Sequence, residues 1–332
     1  MKHSRSVAAI FLEAEKGIVM ESNMKILIGY DGSEQADAAI DDLRRAGMPR
    51  EADAMVMSVA ESWFVAQLNS KRARADHSIG PAGTAARAEL VDPFEEAQLM
   101  ATRASERILS YFSEWHVLTE VVSGSPAREV LRKAMEWEPD LIVVGAKGRS
   151  AAPGSLLGSV SQKIVNEAAC SVRVARGVPW KESSPVRMIV GLDGHPMSAL
   201  AVDAVAKRPW PAQSQARIVT VVDSMAQLPP DVRPSAQPAE SGYDPMTGLA
   251  FVDAALKRLS EADLITSSKV EDGDPKQVLV ADADEWGADC IFLGSACPEA
   301  GMATRLLGSV SAAVVTRAHC SVEVVRCAPK GS

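Results

Sequence analysis

A chain of 332 residues, 47% of them hydrophobic and 23% charged, is most simply two ordinary globular domains. A net charge of −8, from 35 basic and 43 acidic residues, argues against nucleic acid as a partner. The five cysteines (Cys170, Cys290, Cys297, Cys320, Cys327) form no CxxC pair, so neither a disulfide framework nor a zinc knuckle is indicated, and a reducing cytoplasm fits.

Residues 1–23 carry little pattern and read as an N-terminal extension. Their apolar run, 7–12, is soon interrupted by Glu13, Glu15 and Lys16. It is too short for a signal peptide or a membrane span, and no later stretch is long enough to span. The fold is expected to begin at Met24, which also reads as a natural start. Residues 25–30 form an apolar run, as in a buried parallel strand, and Asp31-Gly32-Ser33 follows. Ser33 is placed to cap a helix from Glu34 to about Ala46, with Gly47 as its stop. A second strand is expected over 55–59, then a polar stretch over 61–91. Asp92-Pro93 opens a helix whose Phe94, Ala97, Ala101, Ala104, Ile108 and Tyr111 share one face. A third strand follows over 117–122. Gly124-Ser125-Pro126 opens a helix that ends before Pro139, and a fourth strand covers 141–144.

Next comes the stretch on which the reading turns, Gly145-Ala-Lys147-Gly148-Arg149 through Leu-Leu-Gly158-Ser159. A helical pattern from Val160 follows it. Glycines let backbone N–H groups approach an anion closely, because no Cβ intervenes. The helix start adds free N–H groups and a positive dipole end, and Lys147 and Arg149 add full charges. This is a phosphate cradle by chemistry, although neither GxxxxGK[ST] nor GxGxxG occurs. Residues 171–176 alternate polar and apolar, as a half-exposed fifth strand would. The first half thus reads as strands separated by helices, a doubly wound parallel sheet whose ligands bind at the carboxyl ends of strands.

After a Pro/Ser-containing linker over 177–185, the pattern restarts. Met-Ile-Val-Gly-Leu-Asp193-Gly194 echoes Ile-Leu-Ile-Gly-Tyr-Asp31-Gly32, and Asp272-Gly-Asp-Pro275 echoes Ser123-Gly-Ser-Pro126. Leu306-Leu-Gly308-Ser309-Val-Ser311 repeats Leu156-Leu-Gly158-Ser159-Val-Ser161 letter for letter. The two copies are offset by 162 at the aspartates and by 149 or 150 later. This is one domain duplicated.

The spacing G-x2-G-x9-G-S, the strand-one aspartate and the duplication resemble a tandem universal stress protein over residues 24–327. The resemblance implies α/β architecture: two tandem doubly wound five-stranded parallel-sheet domains, adenine nucleotide alpha-hydrolase-like, packed as a pseudo-dimer. Their expected extents are 24–177 and 186–327. It implies ATP, with Mg2+ as a companion ion, held in the first domain. Asp31 and Val59 would face the adenosine, and Gly145, Gly148, Gly158 and Ser159, with Lys147, Arg149 and Val160 beside them, would hold the phosphates. It also implies that the fifth strands, 171–176 and 321–326, pair within the chain, which would cover two sheet edges. A homodimer is compatible with the pattern; a membrane partner is not expected.

The second half departs from the motif. Cys297 stands for the second glycine, the Gly294 to Gly308 interval is 14 rather than 13, and Pro298 and Glu299 lie where cations stood. That site is expected to bind nucleotide weakly or not at all. Cys170 and Cys320 recur before a strand and read as packing. The histidines show no metal spacing, and the basic run 71–74 reads as a solvated face. The proline-rich 225–246 reads as an extended loop. Two functional classes follow: a nucleotide-binding stress or signalling protein read by a partner, and a slow ATPase. The second lacks a convincing base, because Asp31 is claimed by adenosine. A nucleotide-independent scaffold is the third reading. An ATP pyrophosphatase is disfavoured, since no SGGxDS run occurs.

Overall fold

The computed structural model describes residues 23–61, 92–149, 151, 154–177, 184–222, 245–295 and 307–327. The polar stretch 62–91, the basic run 71–74, the proline-rich loop as far as 244 and the Cys297–Glu299 substitutions lie outside them.

In the first half, β1 (Met24–Gly29), β2 (Ala52–Glu61), β3 (His116–Gly124), β4 (Leu141–Gly145) and β5 (Ser171–Ala175) alternate with α1 (Glu34–Asp42), α2 (Pro93–Tyr111), α3 (Pro126–Trp137) and α4 (Ser159–Glu167). The second half repeats the scheme. Its strands are β6 (Arg187–Gly191), β7 (Gln215–Val222), β8 (Ile265–Asp272), β9 (Cys290–Gly294) and β10 (Ser321–Val325). Its helices are α5 (Pro196–Ala206), α6 (Pro245–Ser260), α7 (Pro275–Trp286) and α8 (Ser309–Arg317). All ten strands join one sheet in the order β3-β2-β1-β4-β5-β10-β9-β6-β7-β8. Within each half every pairing is parallel; the β5–β10 junction is antiparallel. The chain is therefore two tandem α/β halves, each with its own switch point, between β1 and β4 and between β6 and β9.

Local chemistry sets the helix ends. The Ser33 hydroxyl accepts the Ala36 N–H at 3.1 Å and caps α1. Asp92 caps α2 through the Phe94 N–H, with Pro93 in the first turn. The α-helix begun at Glu34 stops at Asp42 and tightens into a 3-10 turn over Leu43–Arg45, short of the expected Ala46. Gly47 follows at φ +60°, and a Cβ there would meet Arg208 and Trp210 of the second half. On α2 the buried row is Pro93, Ala97, Ala101, Ala104 and Ile108. Phe94, expected in that row, is exposed. The buried row runs through Pro93, and Phe94, the next residue, is turned about 100° from it around the helix.

The fifth strands overturn one expectation. The alternation in β5 suggests a half-exposed strand, yet Arg173 is 1% exposed and Glu323, its counterpart in β10, is 0%. The two residues sit directly opposite each other, Glu323 against Arg173, flanked by Val322 against Val174 and Val324 against Val172. The polar positions face buried counter-charges rather than water. Arg173 donates to Asp42 at 2.6 Å and to Glu323 at 3.2 Å. Arg208 closes on both Glu323 oxygens, at 2.9 and 2.5 Å. Around this centre the halves clasp each other reciprocally. Arg176 donates to the Val315 carbonyl at the end of α8, and Arg326 to the Val165 carbonyl at the end of α4. Cations are favoured at the negative ends of helices. Cys170, Cys290 and Cys320 are buried thiols outside any disulfide, and burial pushes the Cys320 thiol up to about 12, as packing rather than reactive residues. Cys327 is disulfide-bonded, which the cysteine pattern does not indicate.

Candidate functional site

At the carboxyl ends of β1, β2 and β4, where the strand order reverses, lies a cavity of about 370 Å³. That volume is in the range of small-molecule sites. Each element contributes for a local reason. β1 ends in Gly29-Tyr30-Asp31, and the turn Asp31-Gly32-Ser33 has Gly32 at φ +74°. Met100 of α2 packs against Gly32 so closely that a Cβ there would lie 2.7 Å from its sulfur. β2 contributes Met57, Ser58, Val59 and Ala60, and the Ser58 hydroxyl donates to the Tyr30 carbonyl at 3.0 Å. Lys147, Gly148 and Arg149 follow β4. Gly158 is the N-cap of α4, so Ser159 and Val160 open the helix. The first N–H groups of a helix have no intrahelical partner, and here they open on the cavity with the positive end of the helix behind them.

All nine residues nominated by the sequence line this cavity: Asp31, Val59, Gly145, Lys147, Gly148, Arg149, Gly158, Ser159 and Val160. Two of them do more than expected. Asp31 bridges the turn and the glycine loop. Its Oδ1 accepts the Ser33 N–H at 3.1 Å and hydroxyl at 2.6 Å, and its Oδ2 accepts the Arg149 N–H at 2.9 Å. A Cβ on Gly148 would lie 2.6 Å from that Oδ2, so the glycine is what lets the loop close onto Asp31. Gly145 has a packing duty as well. A Cβ there would fall 2.7 Å from the Gln35 carbonyl oxygen, against the backbone of α1. Its counterpart Gly294 is tighter still, 1.9 Å from the Met197 carbonyl oxygen. Glycine at both positions serves helix-on-strand packing whether or not a ligand is present. Gly145→Ala is accordingly expected to destabilise the fold by about 1–3 kcal/mol. Urea denaturation checks this; an unchanged midpoint would show that the helix backbone yields freely.

Tyr30, Ser58, Glu96, Met100, Pro126 and Val130 also form the wall, and none of them is marked by a motif in the sequence. Glu96 and Met100 sit one helical turn apart on α2, a signal available in principle. It was hidden because the segment leading into α2 has no pattern that aims the helix. Charge in the cavity is balanced: Lys147 and Arg149 stand against Asp31 and Glu96. The Arg149 guanidinium lies 3.3 Å from a Glu96 oxygen. Among the described lining residues both carboxylates thus have partners already. Among the described residues no three His, Cys, Asp or Glu side chains gather as a metal site, and no helix is long and apolar enough to cross a membrane.

Comparison with known proteins assigns the family. The model of the universal stress protein family matches residues 22–176 and again 186–326. A universal stress protein of Mycolicibacterium smegmatis is 27% identical over 319 residues, covering 91% of this chain and 96% of its own. One of Thermus aquaticus is 32% identical over 158 residues, 46% of this chain and 97% of its own. The crystal structure of a universal stress protein from Archaeoglobus fulgidus superposes with a TM-score of 0.57 at 18% identity, over 91% of this chain and 98% of that one, and so shares the fold. With two family matches laid over two α/β halves of one sheet, the chain belongs to the universal stress protein family.

Proposed function

We propose that the first half binds an adenine nucleotide, with ATP and Mg2+ as the full ligand, and acts in stress response or signalling through conformation or partner binding. One observation carries this reading: a single cavity at the switch point gathers every residue that the phosphate-cradle argument nominated. Asp31 holds the loop closed, Gly148 leaves room for it, and α4 aims its N-terminus into the space. The groups suit phosphate by chemistry, since N–H donors, a helix dipole and two cations converge there. The β1 and β2 side of the cavity, with Tyr30, Met57, Val59 and Ala60, supplies the apolar wall a purine ring would need. Hydrolysis is not part of the proposal. Asp31 and Glu96 are both engaged, and neither is left to position an attacking water.

Domain two, over 186–327, is taken as a degenerate copy on the strength of its altered loop sequence. Calorimetry on nucleotide-stripped protein with magnesium is therefore expected to give about one ATP per chain. Two per chain would mean that the substitutions at 297–299 do not disable the second site. No binding would overturn the nucleotide reading and leave a scaffold.

A further inference from the structure

We infer that Glu96 is the residue by which this cavity discriminates nucleotides by phosphate charge, disfavouring the triphosphate relative to the monophosphate unless a divalent cation accompanies it. The inference rests on the nucleotide reading above. Glu96 lies in the first turn of α2, beyond the loop and strands that the family motif covers. Its carboxylate reaches the cavity and sits 3.3 Å from Arg149 Nη1. The same nitrogen lies 3.3 Å from the Asp31 carbonyl oxygen and 3.5 Å from the Met100 sulfur. The backbone N–H of Arg149 is fixed by Asp31 Oδ2 at 2.9 Å. The Arg149 cation of the cradle is therefore held in place and already given a counter-charge.

The two groups that make the pair, Glu96 and Arg149, are 37% and 53% exposed. Solvent screens the contact, so a ligand can displace it. Displacement does not remove the carboxylate from the cavity wall. A monophosphate seated at the start of α4 gains the helix N–H groups at little cost from Glu96. Each further phosphate adds negative charge to a cavity whose wall already holds this carboxylate. The penalty thus grows with the number of phosphates. A divalent cation cancels it by neutralising the outer phosphates. A merely structural Glu96, acting only as an acidic first-turn residue that suits the helix dipole, would affect all ligands alike.

The test uses full-length, nucleotide-stripped protein in chelator-containing buffer, with ATP, AMP and adenosine titrated in turn. In this divalent-free medium Glu96→Gln is expected to raise ATP affinity about tenfold, AMP affinity by no more than about twofold, and to leave adenosine unmoved. Glu96→Asp should keep most of the wild-type discrimination, and high salt should narrow the ATP difference between wild type and Glu96→Gln. Equal shifts for all three ligands, no shift, or a selective loss of ATP binding would overturn the inference while leaving the nucleotide site standing. A wild-type chain that binds none of the three, with or without magnesium, would instead overturn the nucleotide reading itself.

Discussion

Glu323→Ala is expected to lower the unfolding free energy by about 3–5 kcal/mol, because it leaves two buried guanidinium groups short of their counter-charge. Glu323 is wholly buried and receives Arg208 on both oxygens and Arg173 on one. Arg173 keeps Asp42, but Arg208 loses its only carboxylate among the described contacts. Urea unfolding followed by circular dichroism would measure the loss. A shift under about 1 kcal/mol, the range of solvent-exposed pairs, would mean that water reaches the cluster and screens it. The exposed Arg50–Glu114 pair is the natural control, and its removal is expected to leave the midpoint unmoved.

The same cluster sets a pH dependence. Burial alone would raise the Glu323 carboxyl; the Arg208 charge and hydrogen bonds, with those of Arg173, outweigh it and hold the group below its ordinary value. A depressed folded-state value means that the stabilisation is complete above the unfolded carboxylate range, about pH 4.3. It is then lost as pH falls through the lower folded-state value. Acid unfolding of the wild type should therefore steepen below about pH 4, and Glu323→Gln should flatten that limb.

Gly148→Asp is the second large expected effect, this time on binding. The new side chain would start 2.6 Å from Asp31 Oδ2 and place a second carboxylate against it. Like charges at contact cannot both stay, so either Asp31 releases the Arg149 N–H or the loop swings out, and both outcomes spoil the cradle. Nucleotide affinity should fall at least about a hundredfold, roughly 2.7 kcal/mol. The loop joins strand to helix at the surface, so thermal stability should change by only a few degrees, about 1 kcal/mol or less. Affinity within threefold of wild type would show that the loop is not where phosphate sits. Gly148→Ala separates the two components: its Cβ alone meets Asp31, so an intermediate loss measures crowding without charge.

Most of the fold was legible because its signals are local. Buried apolar runs at 25–30 and 141–144, the caps at Ser33 and Asp92, and the literal repeat of Leu-Leu-Gly-Ser-Val-Ser each state their element within a few residues. The glycine loop was legible for the same reason, whereas Val59 was reached only through the family resemblance. What was misread depends on contacts far apart in sequence. The alternation at Val172-Arg173-Val174 looks like a strand with one wet face, because a single strand cannot display the buried carboxylates, Asp42 and Glu323, that meet its arginine. The packing duty of Gly145, beside its place in the cavity wall, was hidden because its neighbour across the gap, the Gln35 carbonyl, belongs to another element. Glu96 was invisible as a wall residue because only the packing of α2 over β2 and β3 brings it to Arg149.

The pairing of β5 with β10 carries a consequence for how the two copies have diverged. Positions 173 and 323 correspond in the repeat and also face each other, so they lie on the approximate twofold axis of the sheet. On a true axis a residue meets its own twin. Two first halves joined this way would press Arg173 against Arg173, and two second halves would press Glu323 against Glu323, each inside a dry interface. Opposite charges at one axial position make each half a misfit for itself and a match for the other. Charge at this one position therefore favours pairing of unlike halves over pairing of like ones.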